Sequence, residues 1–205
     1  MKLYWSSRSP FVRKVMVVAH ETGLAARIET IPVVVASTSE PNPVVMRDNP
    51  LNKIPTLLTD DGMVLFDSMV ICEYLDSLHG GSRLFPFQAP LRWQALRWHA
   101  LGNGMLDAQM AWRTESRRPP EQQAPVTLRA FDLKIRSALD LLEREADALG
   151  AAPLGIGQVG VGCALAYLDF RFAGLDWRAA RPRIAAWYEA LGRRPAMQAT
   201  AFVDA

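Results

Sequence analysis

The sequence predicts a two-part chain: a small α/β domain over residues 1–81, then an all-helical domain over residues 89–205. Short β-prone runs alternate with amphipathic helical stretches through the first eighty residues. No convincing strand follows residue 82, and a proline-bearing linker (82–89) separates the two regimes. A chain of 205 residues suits one large domain or two small ones, and with 50% hydrophobic and 21% charged residues it can bury a core.

Each element has a local cause. Lys2 to Ser6 is β-prone through Leu3, Tyr4 and Trp5. Ser9-Pro10 reads as an N-cap followed by the first helical residue, because proline needs no N–H there and its φ is already helical. Val12, Val15, Met16 and Ala19 then form an apolar stripe that ends near Gly23. Arg27 to Val35 is rich in β-branched residues and predicts a second strand, while Pro41 and Pro43 permit only a short, irregular helix before Asn49. Pro55–Asp60 and Met63–Phe66 flank Asp61-Gly62, the signature of a tight hairpin. Asp67-Ser68 precede a helix carrying Val70, Ile71, Tyr74, Leu75 and Leu78 on one face, closed by Gly80-Gly81. The order is β-α-β-α-β-β-α.

Downstream everything reads helical. Residues from about Pro90 to Arg117 form one long tract, in which Gly102 and Gly104 signal close packing or a kink; Pro119-Pro120 end it. Leu128, Phe131, Ile135, Leu139, Leu142, Ala146 and Leu149 step by three and four, the pattern of a helix with one face in a bundle. Further helices are expected at about 156–172 and 182–192, the latter ended by Arg193, Arg194 and Pro195. Of the six tryptophans, those other than Trp112 are expected in the core.

Composition excludes several function classes. Twenty-three Lys and Arg against 21 Asp and Glu leave a net charge of +2, too little for a nucleic-acid footprint without a basic patch. Cys72 and Cys163 lie in apolar runs, the setting of buried small hydrophobes rather than of a disulfide, so a reducing cytoplasm is expected. The opening MKLYWSSRSP has no secretory pattern, and no window approaches the roughly 18 apolar residues of a membrane span. His20, His79 and His99 lack the spacing of metal ligands or a triad, and no phosphate loop, HExxH, GxSxG or CxxC occurs.

NPLNKIPTL (Asn49 to Leu57) followed by FDSMVICEYLD (Phe66 to Asp76) closely resembles the glutathione-binding half of cytosolic glutathione S-transferases. With the Ser-Pro helix start and the all-helical second half, the resemblance covers essentially the whole chain. It implies a thioredoxin-like first domain, glutathione as co-substrate with no further cofactor, small hydrophobic electrophiles as second substrates, a homodimer, and neither nucleic-acid nor membrane partners. WSSRSPFVRKV is similar to serine-type members of theta and tau character.

The chemistry such a site needs is thiolate formation. A free cysteine thiol has a pKa of about 8.5, so lowering it by about two units takes roughly 2.7 kcal/mol of preferential thiolate stabilisation. A hydroxyl donor and a helix N-terminus each supply a part. The resemblance places Ser9 as thiolate donor, with Ser7 as its main competitor and Ser6 as a weaker one. It makes Pro55 a cis-proline that lets the Ile54 backbone pair with the ligand's peptide. It gives the γ-glutamyl end to Asp67 (ammonium) and Ser68 (carboxylate), and the glycyl carboxylate to Lys53. Phe11, Met105, Trp112 and Arg113 are the expected second-substrate contacts. Without the resemblance, Ser9, Asp67 and Ser68 read as ordinary helix caps and Lys53 as a solvated loop lysine. One departure stands out: the usual Ser/Thr-x-x-Asp cap of the helix before Tyr167-Leu168-Asp169 is replaced by Gly155-Ile156-Gly157-Gln158.

Two rivals on the same fold are a thiol-disulfide oxidoreductase or peroxidase, disfavoured by serine at position 9, and a non-catalytic glutathione-binding stress protein.

Overall fold

In a computed structural model, residues 1–35, 40–81 and 83–204 are described, and they form two compact units. The first comprises Met1–Phe87 and takes up the chain again from Pro195, while the second spans Gln88–Arg194. The expected division is thus corrected at both ends. Leu84 and Phe85 of the presumed linker are buried and donate their N–H groups to the buried Asp76 carboxylate at 2.8 and 3.1 Å, which binds the linker to the first unit. The segment after residue 194 was expected to stay with the helices.

The first unit holds a four-stranded sheet in the order β2-β1-β3-β4, with β1 at Lys2–Trp5, β2 at Glu29–Pro32, β3 at Thr56–Leu58 and β4 at Val64–Leu65. All four strands are shorter than the sequence predicts. In β2 the reason is local: Ala25–Arg27 takes a 3-10 turn, and parallel pairing with β1 ends at Trp5↔Pro32. Antiparallel pairing of β1 with β3 sets Leu3 opposite Leu57 and Tyr4 opposite Thr56, and the hairpin sets Leu57 opposite Leu65. Gly62 supplies the φ of +89° that its turn requires.

Helices α1 (Pro10–Glu21) and α3 (Ser68–Ser77) pack against each other, and the short α2 (Pro43–Asp48) starts from the Asn42 cap. Leu3, Val15, Val18, Leu57, Ile71, Cys72 and Leu75 are fully buried. Burial of α1 goes beyond the apolar stripe: Arg13 and Lys14 are buried too, while Met16 is only half-buried.

In the second unit, α4 (Ala89–Ser116), α5 (Pro125–Ala151), α6 (Ile156–Arg171) and α7 (Pro182–Gly192) form a bundle around α6, which is buried from Ile156 to Leu168. Gly102 does not kink α4. It lets α4 meet α6 backbone to backbone, since a Cβ there would stand 2.5 Å from the Gly160 carbonyl carbon, and one on Gly157 would stand 2.7 Å from the Ala95 carbonyl oxygen. Buried Gln109 donates to the Ala164 carbonyl at 3.2 Å across the same seam. Gly155 does replace the cap hydroxyl, yet half of the capping box survives because Gly155 N–H donates to Gln158 Oε1 at 3.1 Å. Pro195, expected only as a stop, begins α8 (Pro195–Ala199), which packs on α1. Trp98 and Trp177 are buried as expected, but Trp93 is 67% exposed. Among the described residues no helix is long and apolar enough to cross a membrane.

Gly102→Ala should lower the melting temperature by the equivalent of about 1–3 kcal/mol, because the backbones must part to admit the methyl group; calorimetry would show it, and an unchanged transition would contradict the close approach. An acid dependence also follows. Arg97 donates to Glu145 Oε2 at 2.9 Å, and Trp98 Nε1 donates to the same oxygen at 2.7 Å. Chiefly through Arg97, and against the opposing effect of burial, these contacts hold the Glu145 carboxyl below the usual glutamate range. The folded chain therefore binds that proton less tightly than the unfolded one. The stabilisation is complete above the ordinary glutamate value and disappears as pH falls through the lowered one. The melting-temperature gap between the unsubstituted protein and Glu145→Gln should accordingly narrow toward strongly acidic pH.

Candidate functional site

The sheet register brings the sequence-predicted residues of the first unit together. The C-terminal end of β1 lies beside the start of β3, and β3 runs antiparallel to β4. The chain leaving β1, the turn entering β3 and the chain leaving β4 therefore emerge at one end of the sheet. They carry Ser6–Ser9, Lys53–Pro55 and Asp67–Ser68 respectively. Helices α1 and α3 both begin there, so two sets of unpaired helix N–H groups, with their partial positive charge, share that end.

Ser9 is the N-cap of α1. Its Oγ accepts the Val12 N–H at 3.3 Å, its N–H donates to the Ser6 carbonyl at 3.2 Å, and its carbonyl accepts the Arg13 N–H at 3.0 Å. Among the described residues the Ser9 oxygen is used only as an acceptor, which leaves its hydroxyl proton uncommitted. Ser7 differs. A carbonyl can only accept, so the 2.8 Å contact between Ser7 Oγ and the Val203 carbonyl commits the hydroxyl's one proton. Ser6 Oγ accepts the Arg8 N–H at 3.4 Å.

The Ile54–Pro55 peptide is cis, as the resemblance implies. Ile54 lies just before β3 and outside the paired register, so no described strand pairs with its backbone. Asn49, 1% exposed, holds this turn: Nδ2 donates to the Lys53 carbonyl at 3.1 Å and to Thr56 Oγ1 at 2.9 Å, while Oδ1 accepts the Leu51 N–H at 3.0 Å. This supporting role was not read from the sequence, although a buried asparagine inside an Asn-Pro turn was its signal. Lys53 is exposed, and its ammonium has no carboxylate partner among the described residues. Asp67 caps α3 by accepting the Met69 N–H at Oδ1, 3.0 Å away, which leaves Oδ2 for a cation. Ser68 is buried at 2% exposure. A cation, a strand edge, a carboxylate and helix N-termini at one sheet end match an extended, zwitterionic peptide with free carboxylates.

The expected second-substrate residues divide between the two units. Phe11 is half-buried in the first unit, its ring centre 5.7 Å from Lys14 Nζ. Trp112 and Arg113 line a cavity of about 550 Å³ in the second unit with Arg171 and Phe172, the Trp112 and Phe172 ring centres lying 4.8 Å apart. Met105 is a correction: at 3% exposure it faces the interior of the bundle, where an apolar side chain at that position of α4 is driven. Another cavity, of about 610 Å³, opens beside the serine loop and is lined by Trp5, Ser7, Arg13, Val33 and Val203 among others.

Comparison with known proteins gives this geometry a family. Models of the glutathione S-transferase N-terminal and C-terminal domains match residues 8–78 and 125–190. The chain is 30% identical to the uncharacterized GST-like protein YibF of Escherichia coli (strain K12), over 98% of both chains. It is similar to a glutathione transferase family member of Pseudomonas fluorescens Pf-5 solved with bound glutathione, at 42% identity, a TM-score of 0.93 and 97% coverage of both chains. The structure of a Pseudomonas fluorescens Pf-5 family member with bound S-(propanoic acid)-glutathione matches at 41% identity, a TM-score of 0.89 and 98% coverage of both. The chain belongs to the glutathione S-transferase family.

Proposed function

We propose that this protein is a transferase that binds glutathione at the shared sheet end, ionises its thiol there and joins the sulfur to small hydrophobic electrophiles. The observation that carries the reading is the Ser9 hydroxyl, its proton uncommitted, at the mouth of α1. In this reading Ile54 pairs with the cysteinyl backbone of glutathione. Asp67 Oδ2 takes the γ-glutamyl ammonium, the N-terminus of α3 at Ser68 takes its carboxylate, and Lys53 takes the glycyl carboxylate. Glutathione is the co-substrate and no further cofactor takes part.

Thiol ionisation releases a proton to solvent. The sulfur lone pair then forms the C–S bond, and either a leaving group departs with its electron pair or the added-to double bond takes up a proton. The protein contributes preorganised donors and positioning, with no covalent enzyme intermediate. A sulfur-substituted glutathione bound in a relative 41% identical supports conjugation as the reaction. Phe11, Trp112 and Arg113 are assigned to the electrophile, and Met105 is withdrawn.

Assembly as a homodimer belongs to the same proposal, supported by exposed Trp93 and half-buried Leu96 on α4 and half-buried Met69 on α3. Leu106 on α4 is buried. Two free, buried cysteines support a cytoplasmic setting.

Ser9→Ala should raise the pKa of bound glutathione by about one to two units and lower turnover at neutral pH about ten- to a hundredfold, with little change in glutathione affinity. A wild-type pH-rate profile in that variant would contradict the assignment. Asp67→Asn keeps a cap-competent side chain and removes the charge, so it should sharply reduce retention on immobilised glutathione without a matching loss of melting temperature.

A further inference from the structure

The segment that follows α7 touches the serine loop and the first turn of α1 at three points. Ser7 Oγ donates to the Val203 carbonyl at 2.8 Å. Arg13 Nη2 donates to the Met197 carbonyl at 3.1 Å, and the Arg13 guanidinium carbon stands 4.6 Å from the centre of the Phe202 ring. Arg13 in turn is bonded to the residue at issue, because its backbone N–H closes the first helical turn on the Ser9 carbonyl at 3.0 Å.

Arg13 is an unusual cation. It is 9% exposed, and among the described residues its side chain contacts a carbonyl and a ring rather than a carboxylate and its Nε has no hydrogen-bond partner. Burying a guanidinium without a counter-charge is costly. The contacts that offset the cost both come from Met197–Phe202, so the cation and the returning segment depend on each other.

We propose that Met197–Val203 is a strap that positions the thiolate donor, a reading that rests on the transferase function proposed above. The strap holds the loop through Ser7 and the first turn of α1 through Arg13. It also selects between the two candidate hydroxyls. Ser7 has one proton, and while Val203 accepts it, Ser7 has none to give to sulfur; Ser9, whose oxygen is fixed by the Val12 N–H, keeps its proton for that bond. Ser7, Arg13 and Phe202 are thus positioning residues that act on the thiol without touching it. When the strap is released, the loop loses its tether, the Ser9 hydroxyl is directed at the sulfur for a smaller fraction of the time, and the thiol pKa rises.

The test is an ultraviolet titration of glutathione bound to the full chain in Phe202→Leu, Ser7→Ala and the double variant. Phe202→Leu keeps an apolar side chain and removes the ring from the guanidinium. Each single substitution should lower the ionisation constant of the bound thiol about three- to tenfold, a pKa rise of about half to one unit and the effect of one hydrogen bond. The double variant should be no worse than the more severe single, because both changes cut the same tether. A Phe202→Leu protein that melts earlier yet titrates like the unsubstituted protein would overturn the proposal, as would fully additive effects, which would make Ser7 an independent donor. Arg13→Met should act in the same direction, and if it does not fold, Phe202→Leu still decides.

Amide exchange of Ser9–Arg13, measured without glutathione, separates the strap from the function beneath it. Unchanged exchange in Phe202→Leu would overturn the strap whatever glutathione does. Faster exchange in a protein whose unsubstituted form never ionises glutathione would support the tether and overturn the transferase reading.

Discussion

The pairing register of β1 with β3 is the constraint on which the candidate site depends. With Leu3 opposite Leu57 and Tyr4 opposite Thr56, the serine loop and the Ile54–Pro55 turn come out side by side, and the β3–β4 hairpin delivers Asp67–Ser68 to the same end. The register is enforced by burial: Leu3 and Leu57 are 0% exposed, and a slip of one residue would turn both away from the core. Hydrophobic packing thus fixes the polar geometry. Asn49 carries that order into the turn, holding Lys53 and Thr56 with neutral hydrogen bonds whose net worth is about 1 kcal/mol each but whose loss would leave a buried amide unsatisfied.

Two kinds of close approach serve different ends in the two units. In the helical unit, glycines at 102, 157 and 160 bring α4 and α6 into backbone contact, a purely steric device. In the first unit the sheet register instead brings charged and polar groups to one end, with two helix N-termini, Lys53 and the Asp67 cap on the segments that emerge there. The former serves stability and the latter the ligand site proposed above.

Much of this was legible in the sequence because it is local. The Ser9-Pro10 cap, the Asp61-Gly62 turn and the α5 stripe from Leu128 to Leu149 depend on neighbours a few residues away, and all three stand where they were predicted. What escaped depends on chain arriving from elsewhere. Proline 195 was read as a stop because the same residue ends one helix and starts another, and only the return of that segment to α1 makes it a start. Arg13 lies outside the apolar stripe read for α1, and nothing in PFVRKV announces a buried cation held by residues 197 and 202. Met105 was expected at the second-substrate site through the resemblance, which does not say which face of α4 is covered. The candidate site was legible through family resemblance for Ser9, Ile54, Pro55, Asp67 and Ser68. The commitment of Ser7 to Val203, 196 residues away, was not.

The account stands or falls on whether the shared sheet end stabilises a negative sulfur. Ultraviolet titration of glutathione bound to the unsubstituted protein measures this directly, because the thiolate absorbs where the thiol does not. A midpoint about one to two units below that of the free thiol is expected. A bound thiol that titrates with the free one would contradict the account, even if glutathione binds tightly.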